Sequence, residues 1–150
     1  MGDDFEFSRD NSLLSLYACN AAILIFKMIW VTLLTSKTRI SKKIYANPED
    51  AKVSKGKVLM NDPDVERVRR AHLNDLENIP AFLFVSFLYI LTGPSYFVAF
   101  VLFWSFTAAR ILHTVVYAVK PLPQPARALS FFVGIIITFY MSVQVLKYFW

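Results

Sequence analysis

The chain alternates long apolar runs with shorter polar ones. Residues 13–35 form the first run, about 23 residues or roughly 34 Å as a helix, against a hydrocarbon core of about 30 Å. Asn20 and Lys27 interrupt it. Lys27 stands too far from the charged end to snorkel, so it is expected to face other helices and pair with a carboxylate. Asp75 is one available partner. Residues 36–62 follow as a lysine-rich loop, with a turn at Asn47-Pro48 and a second break at Gly56. A second helix is predicted from Asp62, crossing the membrane over residues 65–91. Asp62 suits the N-cap and Pro63 the first helical position, while Asp64 and Glu66 suit the positive end of the helix dipole. At about 30 residues, roughly 45 Å, this helix outruns a bilayer, so its charged first turns should project from it, with a kink at Pro80. Residues 92–95 read as a tight uncharged turn and residues 96–119 as a third span. The KPLPQP stretch of residues 120–125 cannot continue a helix. Residues 127–147 give a fourth span, with Lys147, Tyr148 and Trp150 as interface anchors. The pattern predicts one domain: an all-α integral membrane protein built as a bundle of four transmembrane helices.

Composition agrees with that reading. The 150 residues are 56% hydrophobic, above the roughly 45–50% of soluble domains. Fourteen Phe, seven Tyr and three Trp suit a lipid-facing surface with aromatic edges. The single cysteine, Cys19, excludes an internal disulfide, a Cys-rich zinc site and a redox pair. Residues 1–10 are polar and expected to hold little structure. Their acidic start does not read as a cleavable signal peptide, and Gly2 lacks the downstream Ser or Thr of a myristoylation signal. Residues 37–70 hold ten Lys or Arg, whereas the N-terminal tail has only Arg9 and the 92–95 turn none. The positive-inside rule then places the 36–62 loop and the 120–125 connection in the cytosol and both termini across the membrane. Most of the loop lysines read as a solvated face near anionic lipid, and aromatic interleaving for nucleic acid is lacking.

Polar residues recur at helical spacing near the cytosolic boundary. Arg67, Arg70, Asn74 and Glu77 follow i, i+3, i+7, i+10; Arg110, His113 and Tyr117 follow i, i+3, i+7; Arg127 opens the fourth span. Any one of them reads equally as an interhelical or local salt bridge, Glu66 with Arg70 being an ordinary i,i+4 pair. As a set, cations outnumber carboxylates, and an anionic ligand balances them. Such a ligand needs carboxylates for Arg39 and Arg70, an ammonium for Glu77, amides for Asn74, and a group for His72 to touch. A zwitterionic peptide of net negative charge fits, glutathione being one compatible choice. A thiol reacts as its thiolate, and Arg127, at a helix start, is placed to stabilise it, with Tyr117 as a hydrogen-bond donor. Neither His72 nor His113 has companions at metal-ligand spacing, so no metal is expected.

The stretches VERVRRAHLNDLENIPAFL, ARILHTVVYAVKPLPQPARALSFFVG and IYANPEDA resemble the MAPEG family of membrane proteins, in its microsomal glutathione transferase branch. The likeness is strong from about Arg39 to Gly134 and weak at both ends. It implies a four-helix bundle assembled as a homotrimer, with glutathione bound between subunits on the cytosolic side. The implied activity is conjugation of glutathione to lipophilic electrophiles, with glutathione-dependent reduction of lipid hydroperoxides, in the endoplasmic reticulum membrane and also the mitochondrial outer membrane. By motif position, Arg39, Arg70, His72, Asn74, Glu77, His113 and Tyr117 would contact glutathione, and Arg127 would stabilise the thiolate. Some members carry a modifiable cysteine where this chain has Ala51, so thiol-triggered activation through that position is not expected. The prostaglandin E synthase branch has arginine at the position of Leu73 and serine at that of Ala128, which weighs against a glutathione-dependent isomerase. A non-catalytic lipid-binding scaffold of the same fold is the remaining alternative.

Overall fold

The computed structural model describes residues 5–150; the readings of the signal and myristoylation positions at residues 1–4 lie outside them. Phe5, in the segment expected to be loose, packs against the core. Helix α1, Ser12–Lys42, starts where Asn11 Oδ1 accepts from the backbone N–H groups of Leu13 and Leu14, each at 3.1 Å. It runs on past residue 35 to Lys42, because residues 36–42 hold no helix breaker and Arg39 and Lys42 suit its negative end. The helix ends at Lys43, in left-handed conformation with φ 53°.

The connection is therefore shorter than expected and not irregular. It contains strand β1, Ile44–Tyr45, helix α2, Pro48–Val53, and strand β2, Lys57–Val58, paired in parallel with Ile44 opposite Lys57. Gly56 permits the pairing, since a Cβ there would lie 2.5 Å from the Lys43 carbonyl oxygen. Lys42 Nζ straps the far end: it donates to both Asp62 carboxylate oxygens at 3.0 Å and also reaches Asp64. Asp62 Oδ1 in turn caps α3, accepting from Asp64 N and Val65 N at 3.1 Å each. The Val65 N–H and then the Lys42 ammonium hold the Asp62 carboxyl below its ordinary pKa.

Helix α3, Pro63–Leu91, continues through Pro80 without a break. Helix α4, Tyr96–Thr114, passes into a π-helical turn, Val115–Val119, and α5 spans Ala126–Phe149. Among the described residues three helices are long and apolar enough to cross a membrane: Ser12–Lys42, Tyr96–Val119 and Ala126–Phe149. The charged first half of α3 keeps it out of that class, although its second half is apolar. The chain is a membrane protein, and its outer surface agrees. Phe26, Phe84, Phe97 and Phe139 are 71%, 70%, 72% and 68% exposed, a surface that water would not tolerate at this density. Inside, Leu24, Ile79, Phe82, Phe103, Phe106 and Met141 make the core, with Phe82 stacked on Phe106 at 3.6 Å between centroids.

Candidate functional site

A buried charge network ties three helices together. Lys27 of α1 is ion-paired with Asp75 of α3, as its depth in the first apolar run implied. Arg110 of α4 is fully buried, and its Nη2 donates to Asp75 Oδ1 at 2.6 Å and to Asn74 Oδ1 at 2.7 Å. Two cations thus share one carboxylate, leaving one excess positive charge, while Arg110 Nε and Nη1 have no partner among the described residues. Desolvating such ions is costly, and the shared Asp75 carboxylate offsets part of that cost for both cations. Nearby, Thr107 Oγ1 donates to Asn20 Oδ1 at 2.8 Å, which accounts for the other polar interruption of the first run.

The same helix turns a second face outward. Arg70, Leu73 and Glu77 are exposed, and neither Arg70 nor Glu77 has an ion pair among the described residues. The expected Glu66–Arg70 pair is not formed; Glu66 instead accepts from Arg69 Nε at 3.2 Å, the i,i+3 geometry. Arg70 is thereby left unbridged. Asn74 lies between the faces: its carbonyl oxygen is held by Arg110, so its amide N–H groups are what it can offer a ligand.

The remaining residues fall into two groups. On the α4–α5 side, the buried His113 ring lies 5.5 Å from that of Tyr117, and the Arg127 guanidinium carbon sits 4.8 Å from the Tyr117 centroid, a cation–π contact. Arg127 occupies the first turn of α5 and its Nε has no partner among the described residues. Cation, phenol and imidazole are therefore contiguous, a set able to hold an anionic sulfur. On the α1 side, His72 Nε2 is 3.4 Å from Thr32 Oγ1. Arg39, with Nη1 unpartnered, lines a pocket of about 480 Å³ together with Ser36, Tyr45, Asp50 and Ser54. A single copy thus brings His113, Tyr117 and Arg127 together but does not place Arg39 in the same group. Asp75 and Arg110 are the residues that spacing alone did not assign as a buried pair, although isolated charges within apolar runs were the signal.

The chain is 47% identical over 149 residues to "Microsomal glutathione S-transferase 1" of Homo sapiens, covering 96% of each. It is 45% identical to the protein of that name from Rattus norvegicus, again with 96% of each covered. "Prostaglandin E synthase" of Homo sapiens is 41% identical over 127 residues, with 84% of this chain and 83% of that one covered. The MAPEG family pattern matches residues 17–147, which take in α2, α3 and α4 whole, most of α1 and α5, and every candidate site residue: the chain belongs to the MAPEG family.

Proposed function

We propose that the protein is a membrane-bound glutathione S-transferase that also reduces lipid hydroperoxides at the expense of glutathione. The observation that carries this reading is the identity of about 45% to microsomal glutathione S-transferase 1, extending over 96% of both chains. The exposed, unbridged Arg70 and Glu77 and the contiguous His113, Tyr117 and Arg127 supply what the chemistry requires. Arg39 and Arg70 would take the carboxylates of glutathione, Glu77 its ammonium, and the Asn74 amide and His72 its peptide groups. His113 and Tyr117 would line the thiol end. Arg127 would favour the thiolate, each pKa unit being worth about 1.4 kcal/mol. In conjugation the thiolate sulfur attacks an electrophilic carbon and a leaving group such as chloride departs. In peroxide reduction two glutathiones become the disulfide while the hydroperoxide yields an alcohol and water.

Arg39 lines a pocket with Ser36 and Tyr45 whereas Arg127 stands against Tyr117, and this separation supports sites shared between neighbouring subunits of a homotrimer. Four membrane crossings follow if the apolar half of α3 spans along with the other three helices. The charged ends then face the cytosol, in the endoplasmic reticulum membrane or the mitochondrial outer membrane, and lipophilic electrophiles enter from the bilayer. Glutathione acts as co-substrate, with no metal in the reaction.

A prostaglandin E synthase-like isomerase is the second reading, favoured by the 41% identity to that human protein. Leu73 and Ala128 argue against it. The test is twofold. Adding glutathione to the purified protein should produce an ultraviolet thiolate band, and a chloronitrobenzene should be conjugated faster than a prostaglandin endoperoxide is isomerised. Absence of the thiolate band would favour a non-catalytic scaffold; faster isomerisation would favour the synthase.

A further inference from the structure

The lysines from the end of α1 to the start of α3 take no part in that chemistry, and Lys42 alone among them is ion-paired in the described residues. The others are gathered by the backbone. Lys43 and Lys55 both hold positive φ, 53° and 50°, a conformation unfavourable for a side chain with a Cβ. Lys57 N donates to the Lys43 carbonyl at 2.9 Å, across the close approach that Gly56 allows. The outcome is a concavity of about 480 Å³ lined by Lys42, Lys43, Lys55 and Lys57 together with apolar Ile44 and Leu59, with no carboxylate in its lining. Beside it, Val58, Leu59 and Met60 are 49%, 41% and 63% exposed. Apolar side chains bared next to a cluster of cations are costly in water and favourable at a lipid headgroup boundary. Lys43 follows Lys37 by six residues, roughly 9 Å of helix. The headgroup layer extends about 5–7 Å beyond the hydrocarbon, so flexible lysine stems reach it.

We propose that this lysine cradle is a binding site for the phosphate of an anionic membrane phospholipid. The Lys43, Lys55 and Lys57 ammonium groups meet the phosphate oxygens, while the Lys42 ammonium stays with Asp62 and Asp64, and Ile44, Val58, Leu59 and Met60 lie among the headgroups beside it. Inorganic phosphate shares the charge chemistry but leaves the apolar rim in water. The proposal rests on the chain's being a membrane protein, not on the transferase reading, and its binding test in detergent is independent of which leaflet the loop faces.

The test is native mass spectrometry of the full-length protein in detergent, with phosphatidylinositol and phosphatidylcholine added in competition. Phosphatidylinositol adducts should be favoured about tenfold, equivalent to about 1.4 kcal/mol. The K43Q/K55Q/K57Q variant should lose that preference, while K37Q/K52Q, outside the cradle, keeps it. Thermal unfolding confirms that the triple variant folds; if it does not, K55Q and K57Q measured singly should each reduce the preference. Equal retention of the two lipids, or an unchanged preference in the variants, overturns the proposal. Displacement of the lipid by millimolar inorganic phosphate assigns the cradle to free phosphate and also overturns it. Protection of residues 57–60 from hydrogen exchange that follows oligomer formation and not lipid would mean that a second copy covers the rim.

Discussion

The inward and outward faces of α3 carry the same kinds of residue and meet opposite fates. Inward, Asp75 is fully buried between Lys27 and Arg110, each ion compensating the others' lost hydration. Outward, barely half a turn away, Arg70 and Glu77 are exposed and unbridged. Charge type does not distinguish a residue locked into the core from one left open on this helix. What distinguishes them is whether a neighbouring helix supplies the counter-ion.

The largest effect is expected from the inward face. Asp75→Ala would leave two buried cations without a counter-ion and should destabilise the protein by about 3–5 kcal/mol, seen as a much lower unfolding temperature in detergent. Lys27→Met should be far milder, because it leaves a balanced Asp75–Arg110 pair. Equal damage from the two would mean that the network is not held together by charge balance.

On the outward side the effects should fall on function and spare folding. Arg127→Ala is expected to lower kcat about 100-fold and abolish the thiolate band, with a smaller change in glutathione affinity. Glu77→Ala should weaken glutathione binding by about 10–100-fold in calorimetry, the worth of a charge-assisted hydrogen bond of roughly 1.5–3 kcal/mol. If both variants lost affinity equally and kept turnover, the division of roles would be wrong. A smaller, directional effect is expected from Leu73→Arg combined with Ala128→Ser, which should raise endoperoxide isomerisation relative to chloronitrobenzene conjugation. An unchanged ratio of the two activities would remove these positions as determinants.

The smallest effect concerns the strap at the start of α3. The folded Asp62 carboxyl is held below its ordinary pKa by the Val65 N–H and the Lys42 ammonium. Its stabilising contribution is therefore complete above the ordinary carboxylate value, about 4, and is lost as pH falls through the lowered folded value. Hydrogen exchange in the α1–α3 connection should be constant from neutral pH to about 4, after correction for intrinsic rates, and increase below it. Loosening already complete at pH 5 would contradict this.

Much of the fold was legible because helix periodicity and bilayer thickness are local constraints. The three most apolar helices, the Asp62–Pro63 start and the proline-rich end before α5 all followed from neighbouring residues. The extension of α1 to Lys42 was missed because polarity was read as the end of the helix, when it marks only the end of the apolar stretch. Glu66 was assigned Arg70 on spacing, but Arg69 at i+3 competes for the same carboxylate and takes it. The lysine-rich loop was visible as charge; its β1–β2 pairing, which depends on Gly56 meeting the Lys43 carbonyl, was not.

By itself the sequence determined that this is a helical membrane chain of the MAPEG family, and it marked the polar residues that interrupt or border its apolar runs. Only the tertiary structure sorted them. Spacing along one helix fixes which side chains share a face, but not what the next helix places opposite. Asp75 became structural because Lys27 and Arg110 arrive from α1 and α4. Arg70 and Glu77 stay open because none of the described residues arrives to pair with them.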